Sequence, residues 1–280
     1  MSGSVAAPER ERTRPRGGGV SFGGILSSEW VKLRSLRSTW WVASSLVVLG
    51  VAISALLAFS LGGDVLDDPR NHDGTSTVAL PVGIALAFLQ LIVVVLGVIS
   101  ITSEFGTGMI RSSFAAVPGR ISLLGGKAII VGSASFVLGA VTAVLSWAAS
   151  YAILVARGAS IAFPDLSVPL WSILGTAGCL ALTAVFGLAV GAIVRSTAVA
   201  ISICVGVLLV LTIVVQIVIG VTQAEWLAHA QDYLLSNAAT GVVIPRAEGA
   251  MAPWQSLLIV VGWAVVPLVA GLVLVRRRDV

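Results

Sequence analysis

The residues best placed for specific chemistry interrupt an otherwise apolar chain at 101–120, in ITSEFGTGMIRSSFAAVPGR. Glu104, Gly106, Thr107, Arg111, Phe114, Pro118 and Arg120 fall there between two long hydrophobic runs. Gly106 and Gly108 each weaken a helix interior by about 1 kcal/mol relative to alanine. Residues 109–117 are predicted to form a short helix with Ile110, Phe114 and Val117 on one side, and Pro118-Gly119 stops it. One acid, two arginines and an apolar edge suit docking to a soluble partner. The competing reading has Glu104 and Arg111 only capping or pairing at an interface.

A second patterned stretch is ILSSEWVKLRSLRSTWW, residues 25–41. Leu26, Trp30, Leu33, Leu36 and Trp40 recur every three or four residues, which places them along one side of a helix and turns Lys32 and Arg34 elsewhere. Arg37 falls on the apolar side, where its long side chain reaches toward phosphates. A helix lying in the membrane interface and bending into a first span fits this pattern, with Trp40 and Trp41 at the headgroup level. The alternative is a plain helical extension of that span.

Composition identifies what must position these stretches. Of 280 residues, 57% are hydrophobic and 11% charged, with a mean hydropathy of +1.03. Soluble domains carry about a quarter charged residues, so most of this chain belongs in a bilayer. A hydrocarbon core of roughly 30 Å takes about 20 apolar residues per helix. Residues 40–61, 79–101, 128–154, 170–194, 197–221 and 256–275 satisfy this, and none of these six runs contains Asp or Glu. The thinnest division is GAIVRSTAVAISI, where Arg195 and its small polar neighbours must turn the chain.

Fourteen of the 17 lysines and arginines fall on one side of a six-span arrangement, leaving Arg70, Arg157 and Arg246 for the other. The basic side is expected to be cytoplasmic, giving a multi-pass protein of the cell inner (plasma) membrane with both termini inside. Anionic lipid and topology account for the basic residues, with no nucleic acid implied. Residues 1–21 are expected to be a disordered cytoplasmic tail. The first apolar run is too long for the core of a cleaved signal. The acidic stretch 62–76 faces outward and lacks the terminal glutamate of a calcium loop.

Several chemistries lack their residues. The chain contains no G-x-x-x-x-G-K-[ST] phosphate cradle, no H-x-x-x-H and no G-x-S-x-G. Spans without acids offer no proton relay. Cys179 and Cys204 read as buried thiols, although counting alone leaves a disulfide open, and His72 and His229 give little basis for a metal or haem site. No enzyme activity and no cofactor are expected in this chain. Gln216, Thr176, Thr183 and Thr197 either line a path or bond helix to helix.

The segments SSEWVKLRSLRSTWW, SEFGTGMIRSSFAAVPGRISLLGGKAI and the closing RRRD, joined to six spans, resemble the permease subunit of ABC-2-type ABC transporters, in the actinobacterial branch. The resemblance implies an all-α ABC-2-type permease fold with an N-terminal interfacial elbow helix, in a single transmembrane domain over 22–280. It implies that Glu104, Gly106, Thr107, Arg111, Phe114, Pro118 and Arg120 belong to a coupling loop resting on a cytoplasmic ABC ATPase subunit. Leu26, Trp30, Lys32, Leu33, Arg34 and Arg37 would form the elbow. ATP and magnesium would bind the ATPase, a second permease copy or sister permease would complete the path, and 222–254 would form an outward, partly re-entrant helical pair. A membrane anchor or regulatory subunit would share the same composition. A secondary transporter would need an internal inverted repeat, and the two halves show no convincing correspondence.

Overall fold

The computed structural model describes residues 21–66, 74–109, 120–159, 161, 167–244 and 251–277, and the fold they form is all-α. A first helix, α1 (Phe22–Ser35), precedes α2 (Arg37–Leu66), α3 (Gly74–Gly106), α4 (Arg120–Ala156) and α5 (Ser167–Val194). Then come α6 (Thr197–Val205) and α7 (Leu211–Thr222), joined by a π-helical turn (Gly206–Val210) into one rod. Short helices α8 (Glu225–Ala230) and α9 (Leu235–Val243) lead to α10 (Pro253–Arg277). Six of these, counting the α6–α7 rod as one, are long and apolar enough to cross a membrane. They cover all six apolar runs read from the sequence.

The division at Arg195 is a two-residue turn. Arg195 adopts φ 60°, in the left-handed region, and its N–H closes α5 on the Gly191 carbonyl at 2.8 Å. Ser196 is extended, and its carbonyl accepts from Ala200 N–H at 2.9 Å to begin α6.

Helices α3 and α5 form the centre of the bundle. Between helices in lipid the hydrophobic effect supplies little, so close packing of small residues must hold them. A Cβ on Gly97 would meet the Ala184 carbonyl oxygen at 1.9 Å, and one on Gly187 would meet that of Val94 at 2.4 Å. Val93, Val94 and Val98 of α3 are buried with Leu180 and Leu188 of α5. A fully buried polar step lies in the same contact: Gln90 Nε2 donates to Thr183 Oγ1 at 3.1 Å, and Thr183 donates to the Cys179 carbonyl at 2.7 Å. Thr176 bonds to the Ser172 carbonyl and Thr197 to Thr102 Oγ1, so these threonines tie backbone and helices, while Gln216 is exposed on α7. Both cysteines are free and buried.

After α7 the chain turns back at Gln223, also left-handed at φ 49°. Helix α9 buries Ala238, Ala239 and Val242 in the bundle, held by Trp171 Nε1 donating to the Val242 carbonyl at 3.1 Å. Large apolar side chains such as Val48 on α2, Ile217 on α7 and Val266 on α10 stay on the outside, as lipid-facing surfaces require.

Candidate functional site

Helix α1 is a separate helix, not an extension of α2. Ser21 Oγ caps it by accepting from Gly24 N–H at 3.2 Å, and the chain is extended at Leu36 (φ −78°, ψ 122°) before α2 begins. Its buried residues are Ile25, Glu29 and Leu33, spaced by four and therefore stacked on one face. Ile25 packs with Leu123 of α4. The face docked on the bundle thus carries a carboxylate.

Glu29 meets three other charges where α1, the end of α3 and the start of α4 converge. Lys32 Nζ donates to Glu29 Oε1 at 2.7 Å and to Glu104 Oε1 at 2.9 Å. Lys127 Nζ donates to Glu29 Oε2 and, at 2.9 Å, to Glu104 Oε1. Glu29, Glu104 and Lys127 are only 3%, 4% and 3% exposed, and Lys32 is half-buried. Two carboxylates and two ammonium groups alternate, so the cluster is formally neutral. Isolated buried charges are costly, and this alternation with charge-assisted hydrogen bonds offsets the desolvation. Burial by itself pulls the Lys32 pKa down, but hydrogen bonds and charges from Glu29 and Glu104 outweigh it and hold the pKa above the ordinary lysine value.

The cluster also fixes the two ends of the 107–119 connection. Glu104 lies in the last turn of α3, and Lys127 lies two turns into α4. Gly108, at φ 73°, ends the α3 spiral in a conformation that suits glycine. Next door, the Arg195 guanidinium lies 5.2 Å from the Phe105 ring centroid, and Thr197 Oγ1 donates to Thr102 Oγ1 at 2.9 Å. The end of α3 is therefore tied to α1, α4 and the α5–α6 turn together. Beside the charges is a cavity of about 280 Å³, lined by Lys32, Leu36, Ser100, Ser103, Glu104 and Met109 among others.

One alternative left open by the sequence is decided and one expectation needs correction. Glu104 does not present its charge to solution; it points inward to Lys32 and Lys127, the pairing alternative. The expected apolar side is divided: on α1 Leu33 is buried and Leu26 half-buried whereas Trp30 is exposed, and Leu36 in the linker and Trp40 on α2 are exposed too, since the break at Leu36 ends the single helical face that the spacing assumed. Lys32 turns toward the bundle, while Arg34 and Arg37 are exposed. The physical reason is that an apolar environment outside the bundle accommodates tryptophan and leucine, whereas only the paired interior accommodates Glu29. Gly106 and Thr107 are exposed. Arg111, Phe114, Pro118 and the short helix expected at 109–117, apart from Met109, lie outside the described residues, as does the tail to residue 20; Arg120 opens α4.

Glu29 and Lys127 carry the site with Glu104 and Lys32, and neither stands out in a search for motifs. A signal existed for Glu29, which lies four residues from both Ile25 and Leu33. Lys127 sits alone at the head of a long apolar run. Among the described residues no group of three or more His, Cys, Asp or Glu could hold a metal ion. The arrangement is a neutral electrostatic joint between α1, α3 and α4. No family model matches the chain, and no curated protein does either.

Proposed function

We propose that this chain is the membrane permease of an ATP-driven ABC-2-type exporter, with α1 as its elbow helix, the 107–119 connection as the docking point for a separate cytoplasmic ATPase, and a second permease completing the path. The observation that carries the reading is the Glu29–Lys32–Glu104–Lys127 joint. It fastens α1 to both helices bracketing that connection. A push on the connection would reach α3 and α4 through their ends, and α3 is packed backbone to backbone on α5 through Gly97. A motor acting from solution needs such a stiff junction, because a flexible one would absorb the displacement.

The experiment is affinity purification of the full chain from its own membranes in mild detergent, followed by mass measurement and an ATPase assay. An assembly of two permeases with two ATP-hydrolysing subunits is expected. A fluorophore at Thr107→Cys should then change its emission when ATP and vanadate trap the motor. Purification without any ATPase would overturn the reading. An ATPase whose trapping leaves the fluorophore unchanged would favour a passive anchor.

A further inference from the structure

Helix α7 (Leu211–Thr222) buries none of its twelve residues. Its main contacts are with the π-helical turn before it and with α8 and the 3₁₀ turn Gln231–Tyr233 after it, and no other long helix packs extensively against it. Thr212, Val215 and Ile219 are half-buried and continue the line of Ala200, Cys204 and Leu208 that faces the bundle. Ile213, Gln216, Ile217 and Gly220, at i, i+3, i+4 and i+7, form a separate exposed face.

Gln216 is out of place on that face. The rod of α6, the π turn and α7 has 26 residues, about 39 Å of helix against roughly 30 Å of hydrocarbon. Centred in a bilayer, the rod puts Gln216 about 4–5 Å inside the hydrocarbon at its outer end. The carboxamide has two N–H donors and an acceptor oxygen, and no hydrogen bond ties it to another described residue. An unpaired amide in hydrocarbon is costly, and glutamine relieves that cost by bonding across helices. Gly220, one turn on, has nothing within 4 Å of where a Cβ would stand, so a second backbone has room to come close.

We infer that this face of α7 seats α7 of a second copy of this chain, with the two Gln216 carboxamides paired across a twofold axis. Two copies inserted in the same orientation are related by an axis along the membrane normal, so a residue on the seam meets itself at the same depth. Such a position demands a self-complementary side chain. A carboxamide is one, since each Nε2 donates to the opposite Oε1, whereas an ammonium or a carboxylate would repel its twin. Ile213 and Ile217 pack around the pair, and Gly220 sets the closest approach. The inference rests on the part of the proposed function that pairs two permeases, naming an identical chain and the helix that meets it, and it stands with or without an ATPase.

The test places single cysteines along α7 of the full chain in its own membranes, where the native Cys179 and Cys204 are buried, and oxidises them with copper phenanthroline. Ile213→Cys, Ile217→Cys and Gly220→Cys should give disulfide-linked dimers of this chain. Val214→Cys, Val218→Cys and Val221→Cys, exposed at matching depths on the other side, should not. In vesicles of the purified chain diluted with lipid, energy transfer between labelled copies should show Gln216→Leu dissociating on the order of ten-fold more readily than wild type, and Gln216→Asn should keep most of the association. Equal cross-linking on both sides, no cross-linked dimer, or equal association of wild type and Gln216→Leu would each overturn the assignment. An assembly that purifies with an ATPase but lacks these cross-links would remove the seam and leave the proposed function standing; the cross-links without any ATPase would do the reverse.

Discussion

Glu104 Oε1 accepts hydrogen bonds from Lys32 Nζ and Lys127 Nζ, each at 2.9 Å, so a single carboxylate oxygen links α1 to the first turns of α4. Removing one partner strands a buried opposite charge, which costs about 3–5 kcal/mol. Lys127→Met should therefore lower stability by that amount in denaturant titrations of the detergent-solubilised protein. The double variant Glu104→Met/Lys127→Met leaves Glu29 and Lys32 paired and should cost clearly less than the sum of the two single changes. Strict additivity would mean the four groups do not act as one network. Glu104→Lys, attractive as a surface charge swap, should instead loosen this end of the bundle, and Arg111→Glu becomes the cleaner probe of partner docking.

The raised Lys32 pKa gives the joint a defined pH window. The group binds its proton more tightly when folded, so its contribution is fully present below the unfolded lysine value of 10.5 and is lost as pH rises through the higher folded value. Trp30, exposed two residues away on α1, offers a reporter. Its fluorescence, corrected for the other tryptophans with a Trp30→Phe variant, should stay level from about pH 6 to 9 and change only in strong alkali. A transition near neutrality would contradict the Lys32 pairing.

The six helices long and apolar enough to cross a membrane were legible because each apolar run independently meets a length requirement set by the bilayer. The turn at Arg195 was legible by the same constraint, since one helix from 170 to 221 would be too long. Long-range pairing was not legible. Glu29 and Lys127 are 98 residues apart, and nothing local in either stretch records the other. The pattern on α1 misled for a related reason: in a bilayer, apolar spacing does not say which side is inside, and here the carboxylate at Glu29 marks the packed face better than Trp30 does. The glycine contacts of α3 and α5 were equally silent, because Gly97 and Gly220 look alike in sequence while only the former abuts a backbone.

That difference between glycines is testable. Gly97→Val would drive a side chain into the Ala184 carbonyl, contacted at 1.9 Å already by a Cβ. Backbone cannot swing aside as a side chain can, so the loss should be at or above the usual overpacking range of about 1–3 kcal/mol. Gly262→Ala, inside α10, meets nothing within 4 Å and should cost no stability, with a gain of up to about 1 kcal/mol from helix propensity. Similar losses at both positions would contradict the close α3–α5 approach.

Arg195 sets two small terms against each other. Its left-handed backbone costs an ordinary L-residue about 1–2 kcal/mol, whereas its guanidinium over Phe105 returns about 0.5–1 kcal/mol. Arg195→Gly relieves the first and loses the second, so its stability should stay within about 1 kcal/mol of wild type. Arg195→Ala keeps the strain and loses the ring contact, and should be the less stable of the two. The reverse order in parallel melts would show that the guanidinium has another role.

The orientation expected from charge is checked from outside the cell. With 14 of 17 basic residues on the side of α1 and the 107–119 connection, the bias is far larger than one misassigned loop could reverse, and basic loops resist translocation. Thr107 and His229 are both exposed, on opposite sides of the proposed span arrangement, and the native Cys179 and Cys204 are buried. A membrane-impermeant maleimide added to intact cells should label His229→Cys and spare Thr107→Cys, and permeabilising the cells should expose the latter. Labelling of Thr107→Cys before permeabilisation would invert the map. It would also place the proposed ATPase dock on the side without ATP, so the exporter reading would fall with it, while the charge joint and the packing of α3 on α5 would stand unchanged.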